Sequence, residues 1–185
     1  MLKLLGISGS LRRGSYNSAL LRAATRLMPP DAALETASIR GIPLFDADVE
    51  AQGLPPSVTQ LKESVVAAAG VLLVTPEYNN GIPGVFKNAI DWLSRPNSDI
   101  KRVFGGRPFA LIGASPGPYG TNLSQAAWLP VLRTLGAQIW SGGRLQVAHA
   151  ATVFDEAGNL KDAQLEERLK QFLAGYVAFV QHSSP

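Results

Sequence analysis

The sequence predicts an α/β fold in which helices cover both faces of a parallel sheet. Short apolar runs alternate with helical patterns along all 185 residues, as expected for successive strand–helix units. The run at 70–75 is apolar at consecutive positions, which is typical of a central parallel strand buried on both faces. Loops rich in glycine, serine, asparagine and proline follow three of the predicted strands.

The predicted strands are short and bounded by turn residues. In chain order they cover 2–7, 34–39, 70–75 and 108–114, and a last strand lies within 137–140 and 143–147. Ser141-Gly142 interrupts that last stretch. We therefore expect five strands in one domain that spans residues 1–185.

Apolar residues at helical spacing connect these strands. The first helix is predicted over 17–28, because Pro29-Pro30 ends its pattern. The second follows Pro55-Pro56, where Ser57 and Gln60 have capping-box spacing. The remaining helices are predicted at 86–93, at 122–135 with Asn122 as the cap and a kink at Pro130, and at 165–180 after a turn at 155–159.

Composition excludes several classes of function. The net charge of +3 comes from scattered basic residues, so we expect no nucleic-acid partner. No apolar run has the length of a membrane span, and the chain starts directly with a strand, so a cytoplasmic protein without membrane attachment is expected. Without cysteine there is no thiolate nucleophile, and the isolated His149 and His182 predict no metal site.

The loop between the first strand and the first helix has the composition of a phosphate site. Ser8, Ser10, Ser15 and Ser18 offer hydroxyls, and Asn17 offers an amide. We expect Gly9 and Gly14 to adopt backbone angles that turn N–H groups toward an anion. The positive end of the following helix and the charge of Arg12 favour the same ligand.

Other phosphate loops fit this stretch less well. The glycine spacing matches a Walker A loop, but Ser15 stands where that loop has its lysine. The GxGxxG pattern is absent, and the second strand ends at Arg40 without an acidic residue for a ribose. A serine-rich turn that binds nothing stays open as the alternative.

The three loops that follow strands one, three and four should meet at one edge of the sheet. With five strands, the flavodoxin-like order 2-1-3-4-5 fits best, and FMN is a ligand that would use all three loops. Tyr78 can pack against the isoalloxazine ring of FMN, and Pro76 lets the backbone approach that ring. Asn79 can donate a hydrogen bond near the flavin atoms on which negative charge accumulates when the flavin is reduced. Each of these residues alone is also compatible with an ordinary turn or surface position.

Two further residues near these loops have open roles. Glu77 can cap a backbone N–H or face a partner subunit. Trp92 is expected on the buried apolar side of its helix turn, although an exposed Trp92 would suit a subunit interface. We expect no catalytic side chain, because the GxSxG elbow is absent and the flavin itself would carry the chemistry.

The sequence resembles the NADPH-dependent FMN reductase family, which includes bacterial chromate and quinone reductases. The resemblance rests on GSLRRGSYN at 9–17, TPEYN at 75–79, Pro83-Gly84, KNAIDWL at 87–93 and ASPG at 114–117. It covers nearly the whole chain. Gly120-Thr121 departs from the glycine pair of many relatives and leaves the shape of that loop open.

The resemblance implies a flavodoxin-like three-layer sandwich with one FMN per chain, assembled as homodimers or homotetramers with the flavin near a subunit boundary. By position, the phosphate would be held by Ser10, Leu11, Arg12, Arg13, Gly14, Ser15, Tyr16 and Asn17. The ring would lie against Pro76, Glu77, Tyr78 and Asn79, with Ser115 on its far side.

The predicted function is therefore an FMN-dependent NAD(P)H oxidoreductase with a ping-pong cycle. Hydride would pass from NADPH or NADH to flavin N5 and on to a small acceptor such as a quinone, with chromate, azo and nitro compounds as further candidates. A flavodoxin-type electron carrier is the alternative, although such carriers are usually acidic and this chain is mildly basic. A scaffold that binds no flavin is the third interpretation.

Overall fold

The computed structural model describes residues 1–183 and contains a parallel sheet of six strands. They are β1 (Leu2–Ser8), β2 (Ala32–Ala37), β3 (Gly70–Val74), β4 (Pro108–Ala114), β5 (Gln138–Ile139) and β6 (Leu145–Val147). The order is β2-β1-β3-β4-β5, and β6 also pairs with β4. The predicted flavodoxin-like order is confirmed.

The predicted fifth strand is two strands. β5 pairs with Pro108 and Phe109 of β4, whereas β6 pairs with β4 from Ile112 to its end. The segment 140–144, which includes Ser141-Gly142, separates β5 from β6. The predicted number of five strands is therefore wrong by one, because turn residues inside the stretch prevent continuous pairing.

Eight α-helices connect or follow the strands within residues 1–183. They are α1 (Tyr16–Arg26), α2 (Ala47–Ala51), α3 (Pro56–Ala67), α4 (Gly84–Leu93), α5 (Ile100–Val103), α6 (Asn122–Thr134), α7 (Ala150–Val153) and α8 (Ala163–Ser183). A 3₁₀ turn at Asn97–Asp99 precedes α5. None of these helices combines the length and apolar character needed to cross a bilayer.

Two predicted helix caps are wrong. Pro55 occupies the cap position of α3, so Ser57 lies inside its first turn and donates from Oγ to the Gly41 carbonyl at 3.1 Å. Asn122 is the first residue of α6, and Thr121 occupies the cap position. In both helices the start lies one or two residues from the predicted position, which is the usual uncertainty of a boundary read from sequence.

Alternate residues of the central strands enter two separate cores. Leu72 and Val74 of β3 pack with the inner faces of α1 and α8, whereas Val71 and Leu73 pack with those of α3, α4 and α6. Successive side chains of a strand point to opposite faces, so a strand covered on both faces must be apolar throughout. This explains the uninterrupted apolar run predicted at 70–75.

The register places the carboxyl ends of the central strands at one edge of the sheet. Ser8 at the end of β1 lies opposite Val74, Val74 lies opposite Ile112, and Ala114 lies opposite Val147. The loops after β1, β3 and β4 therefore open side by side. In open parallel sheets this is the edge where ligands bind.

Candidate functional site

The loop after β1 ends on a serine that caps α1. Ser15 is extended (φ −72°, ψ 126°), and its Oγ accepts the backbone N–H of Ser18 at 3.2 Å. Because that oxygen accepts from inside the helix, its own hydrogen is available to an external acceptor. Ser8 Oγ and Ser18 Oγ bond each other at 3.1 Å on the strand side of the loop.

The backbone of this loop offers a row of N–H donors. Within residues 1–183, no protein acceptor receives the N–H groups of Arg13, Gly14, Ser15, Tyr16 and Asn17. These donors lead into the N-terminus of the eleven-residue α1, where the helix dipole is positive. A donor set of this kind suits a phosphate group.

Arginines surround the loop without carboxylate partners. The Arg12 guanidinium lies 5.4 Å from the centre of the Tyr16 ring, which in turn stacks on Phe154 at 6.1 Å. Arg40, at the end of the segment after β2, donates from Nη2 to the Leu11 carbonyl at 2.6 Å. Within the described residues, none of Arg12, Arg13 and Arg40 forms an ion pair.

Arg40 was not predicted as a site residue. Its contact with the loop joins residues 29 positions apart, and its place next to Leu11 depends on the pairing of β1 with β2. The sequence carries one signal for it, since the residue that ends a strand next to the phosphate loop lies near that loop.

The two glycines of the loop have ordinary backbone angles, and close packing requires glycine only at Gly9. Neither Gly9 nor Gly14 has a φ in the left-handed region, so that expectation is wrong. A Cβ on Gly9 would lie 2.1 Å from Phe86 Cδ1, so only glycine lets β1 approach α4 there. A Cβ on Gly14 would meet its nearest neighbour, Arg12 Nη1, at 3.9 Å, which leaves open space beside the guanidinium.

The loop after β3 contains a tight two-residue turn. Tyr78 and Gly81 exchange backbone hydrogen bonds of 3.2 and 3.0 Å, and both residues between them, Asn79 and Asn80, have positive φ. Left-handed angles at both central positions are typical of a type I′ turn, which explains the two asparagines. Tyr78 is 51% exposed beside this turn, and Pro76 is buried at its base.

Glu77 ties this loop to α6. Its Oε2 accepts the backbone N–H of Ser124 at 2.9 Å, in the first turn of that helix. Of the two roles expected for Glu77, the structure shows the backbone cap. Behind it, Thr75 Oγ1 and Ser124 Oγ bond each other at 2.9 Å, and Trp128 Nε1 donates to Thr75 Oγ1 at 3.0 Å.

Trp92 does not have the exposed position that an interface role requires. It is fully buried, its Nε1 donates to the Pro43 carbonyl at 2.9 Å, and its ring meets Phe45 edge-on at 4.9 Å. The structure shows the buried position expected for the apolar side of this helix turn and not the exposed alternative, since the segment before α2 folds over Trp92.

The loop after β4 is held by its own backbone. Ser115 donates from N to the Val147 carbonyl at 2.9 Å and from Oγ to the Gly120 carbonyl at 2.6 Å. Gly120 has φ 62° and lies against Gln146, which explains why glycine is needed there. Thr121 is buried and accepts from Gln125 Nε2 at 3.0 Å, so the Gly120-Thr121 departure forms an ordered turn.

One side chain joins the first loop to the third. Asn17 donates from Nδ2 to the Ala114 carbonyl at 2.8 Å and accepts the Ala114 N–H on Oδ1 at 2.9 Å. The structure thus brings all three predicted loops together. Within the phosphate loop, however, the Tyr16 ring packs on Phe154 and the Asn17 amide faces β4, so their backbone N–H groups are what they offer to an anion.

The arrangement fits an FMN ligand. A phosphate can be received by the N–H row, the Ser15 hydroxyl and Arg12. The loops after β3 and β4, which carry Tyr78, Asn79 and Ser115, open at the same edge of the sheet. No group of three or more His, Cys, Asp or Glu residues suited to a metal ion occurs within residues 1–183.

Comparisons with known proteins agree with this interpretation. The family described as NADPH-dependent FMN reductase matches residues 2–152. An NAD(P)H-dependent FMN reductase of Pseudomonas aeruginosa is 43% identical over 180 residues, covering 97% of this chain and 96% of the relative. A 2-hydroxy-1,4-benzoquinone reductase of a Burkholderia species is 36% identical over 180 residues, covering 97% of each chain.

A solved structure has the same architecture. The flavoenzyme NAD(P)H:(acceptor) oxidoreductase FerB of Paracoccus denitrificans superposes with a TM-score of 0.89 at 30% identity, covering 99% of each chain. The comparisons therefore favour an enzyme over an electron carrier. On these matches and on its own motifs, the chain belongs to the NADPH-dependent FMN reductase family and is an oxidoreductase that uses FMN and NAD(P)H.

Proposed function

We propose that this enzyme reduces quinones and similar small acceptors with electrons from NAD(P)H, in a ping-pong cycle on FMN. The observation that carries the proposal is the meeting of three loops at the carboxyl edge of the sheet, with a row of N–H donors and an unpaired Arg12 in the first. Bound FMN supplies hydride acceptance and hydride donation. The nicotinamide and the acceptor would use it in turn.

In this proposal the groups of the protein bind FMN and orient it. Backbone N–H groups at 13–17, the Ser15 hydroxyl and Arg12 hold the phosphate, with Ser10 and Leu11 shaping the loop. Tyr78 and Pro76 lie against the flavin ring, and Asn79 and Ser115 lie at its sides. Glu77 holds the loop after β3 against α6. No side chain is asked to act as an acid or a base.

The acceptor class is proposed from the relatives and from the open form of the site. One relative is named for a benzoquinone, and Tyr78 in the loop after β3 and Tyr119 in the loop after β4 are exposed. Exposed aromatic rings can stack on planar acceptors. Chromate, azo and nitro compounds are further candidates, and the cytoplasm is the proposed compartment, where NADPH and NADH are available.

We also propose that residues 1–185 form one domain and that two or four copies assemble. The exposed apolar side chains include Leu44, Phe45, Val49 and Val85. Asn88 of α4 holds the segment 43–45 against that helix, because its Oδ1 accepts from Phe45 N and its Nδ2 donates to the Pro43 carbonyl. An apolar patch of this kind suits a second copy of the chain. Light scattering of the eluting protein should give twice or four times the 19.6 kDa chain mass.

Steady-state kinetics test the proposed function. With NADPH or NADH varied at several fixed concentrations of a benzoquinone, double-reciprocal plots should be parallel, as a ping-pong cycle requires. Intersecting lines would contradict the cycle. Purified protein that contains no FMN and takes up none would contradict the proposed site.

A further inference from the structure

Asn17 has an unusual position for a residue of a phosphate loop. It lies in the first turn of α1, yet its side chain is only 4% exposed and turns away from the loop toward β4. Its Nδ2 donates to Ala114 O at 2.8 Å, and its Oδ1 accepts from Ala114 N at 2.9 Å. The amide thus satisfies both polar groups of one backbone residue.

The orientation of the amide follows from its partners. Exchanging the oxygen and nitrogen would place two acceptors and two donors against each other, so only one orientation forms both bonds. A carboxylate at this position would keep the bond from Ala114 N but would face the Ala114 carbonyl with like partial charge. Asparagine therefore fits here better than aspartate, leucine or alanine.

Ala114 is the last residue of β4, and Ser115 begins the loop assigned to the flavin ring. From Ser115 the chain is held by β6 through Val147 O and by its own turn through Gly120 O. Among residues 1–183, the Asn17 pair provides the only side-chain hydrogen bonds between the phosphate loop or α1 and this strand end. It links the start of α1 directly to the end of β4.

We propose that Asn17 is a positioning residue for the ring-side loop and that its side chain is not a phosphate ligand. The inference rests on the proposed placement of FMN. Through Ala114, the side chain holds Ser115 at a fixed place relative to the start of α1. Because both bonds are buried, losing them leaves two backbone groups without partners, and β4 is expected to relax at its end.

Riboflavin separates the two roles, since it has the ring of FMN and no phosphate. A phosphate ligand contributes to the affinity for FMN alone. A residue that positions the ring-side loop contributes to the affinity for both flavins. The exposed Arg12 provides the matched comparison, because its charge is assigned to the phosphate and it has no contact with β4.

The experiment measures dissociation constants of apoprotein for FMN and riboflavin by quenching of flavin fluorescence. We expect Asn17→Ala to weaken binding of both flavins by a similar factor of about 10, and Arg12→Ala to weaken FMN alone. The visible circular dichroism of FMN bound to Asn17→Ala should also change, because the ring loses its fixed surroundings. Asn17→Asp should behave like Asn17→Ala and replaces it if the alanine variant does not fold.

Two results would overturn the inference. Loss of FMN affinity with riboflavin affinity intact would make the side chain a phosphate ligand. Unchanged affinity for both flavins and an unchanged flavin spectrum, in a variant that merely melts at lower temperature, would leave Asn17 with a role in stability alone. If the unmodified protein binds neither FMN nor riboflavin, the proposed function itself is wrong. That result is distinct from the two above, which are seen only in the Asn17 variants.

Discussion

Two regions of this protein that contain several basic side chains differ in how those charges are paired. On one side of α3, Lys62 is 1% exposed and bonds Asp99 Oδ2 at 2.9 Å, while Arg102 bonds the carboxylates of Glu63 and Asp99. At the phosphate loop, Arg12, Arg13 and Arg40 have no ion-pair partner within residues 1–183. The basic side chains of the first region are paired within the chain, whereas those of the second are free to meet the FMN phosphate that we propose there.

The comparison shows that the number of cations does not mark a binding site. We propose that the paired cations of the first region contribute to folding and that the unpaired cations of the second contribute to flavin binding. Substitutions in the two regions should therefore affect different measurements. Stability should respond in the first, and flavin affinity in the second.

The largest effect is expected at Lys62. Lys62→Met removes the partner of Asp99 and of the Arg95 carbonyl inside the protein. We expect the free energy of unfolding to fall by about 3 to 4 kcal/mol, because a charged hydrogen bond to Asp99 is lost and the Arg95 carbonyl loses its donor. Urea denaturation measures it.

The exposed neighbour Lys101 gives the control for that change. Lys101→Met should alter stability by less than about 0.5 kcal/mol. The FMN affinity of folded Lys62→Met should match the unmodified protein. A weaker flavin affinity with unchanged stability would reverse the assignment of the two regions.

The next effect is expected at the phosphate loop itself. Ser15→Ala combined with Arg12→Ala should weaken FMN binding by about 2 to 4 kcal/mol, because charge-assisted hydrogen bonds to the phosphate are lost. Loss of the α1 cap should cost about 1 kcal/mol of stability besides. Fluorescence titration with FMN measures the first, and thermal melting the second.

Arg26→Ala is the matched control, since it removes an arginine from the last turn of the same helix. Its FMN affinity should be unchanged. If the control and the double variant lose affinity equally, general electrostatic attraction rather than the loop would explain the binding.

A smaller effect is expected at Arg40. Its guanidinium donates to the Leu11 carbonyl and so brings a positive charge beside the loop that is proposed to hold the phosphate. Arg40→Gln should therefore weaken FMN by about 1 kcal/mol and leave riboflavin unchanged. Arg40→Lys, which keeps the charge, should be affected less. Equal loss for both flavins would exclude a role through the phosphate.

The smallest effect is a pH dependence confined to the first of the two regions. The hydrogen bond from Lys62, followed by that from Arg102, holds the pKa of Asp99 below its usual value. A lowered pKa in the folded state adds stability above the unfolded pKa of about 3.9, and this stability is lost as pH falls through the lower value. Urea unfolding between pH 5 and pH 3 should show a steeper loss in the unmodified protein than in Asp99→Asn. Identical slopes would contradict it.

Most of the fold could be predicted from local patterns. Short stretches of sequence contain the apolar run of β3 and the serine and glycine loop before α1. The alternation of strands and helices along the chain then predicted the topology of the sheet. The split of the last strand was signalled by Ser141-Gly142, although its two pairings with β4 were not. The predicted helix caps were wrong because serine and asparagine are favoured capping residues, which pointed to Ser57 and Asn122. Pro55 and Thr121 occupy the cap positions, one or two residues earlier, without a side-chain cap bond.

The site was predicted as three loops, but several side-chain roles within it were not. Glu77 reaches Ser124 across 47 residues, and Asn17 reaches Ala114 across 97. Both separations are too long for a local sequence pattern to predict the contact. The burial of Trp92 likewise depends on the segment before α2, which covers it from outside its own helix.

The sequence by itself determined the order of elements, the place of the phosphate loop and the chemistry of its donors, because these depend on residue type and local spacing. Tertiary structure alone decided which polar groups are already satisfied inside the chain. Asn17, Glu77 and Lys62 have hydrogen-bond partners there, whereas within residues 1–183 Arg12 forms no ion pair and the N–H groups of 13–17 have no protein acceptor. That outcome depends on which distant segments the sheet brings together, and it is the basis on which we propose ligand-binding roles for Arg12 and these N–H groups.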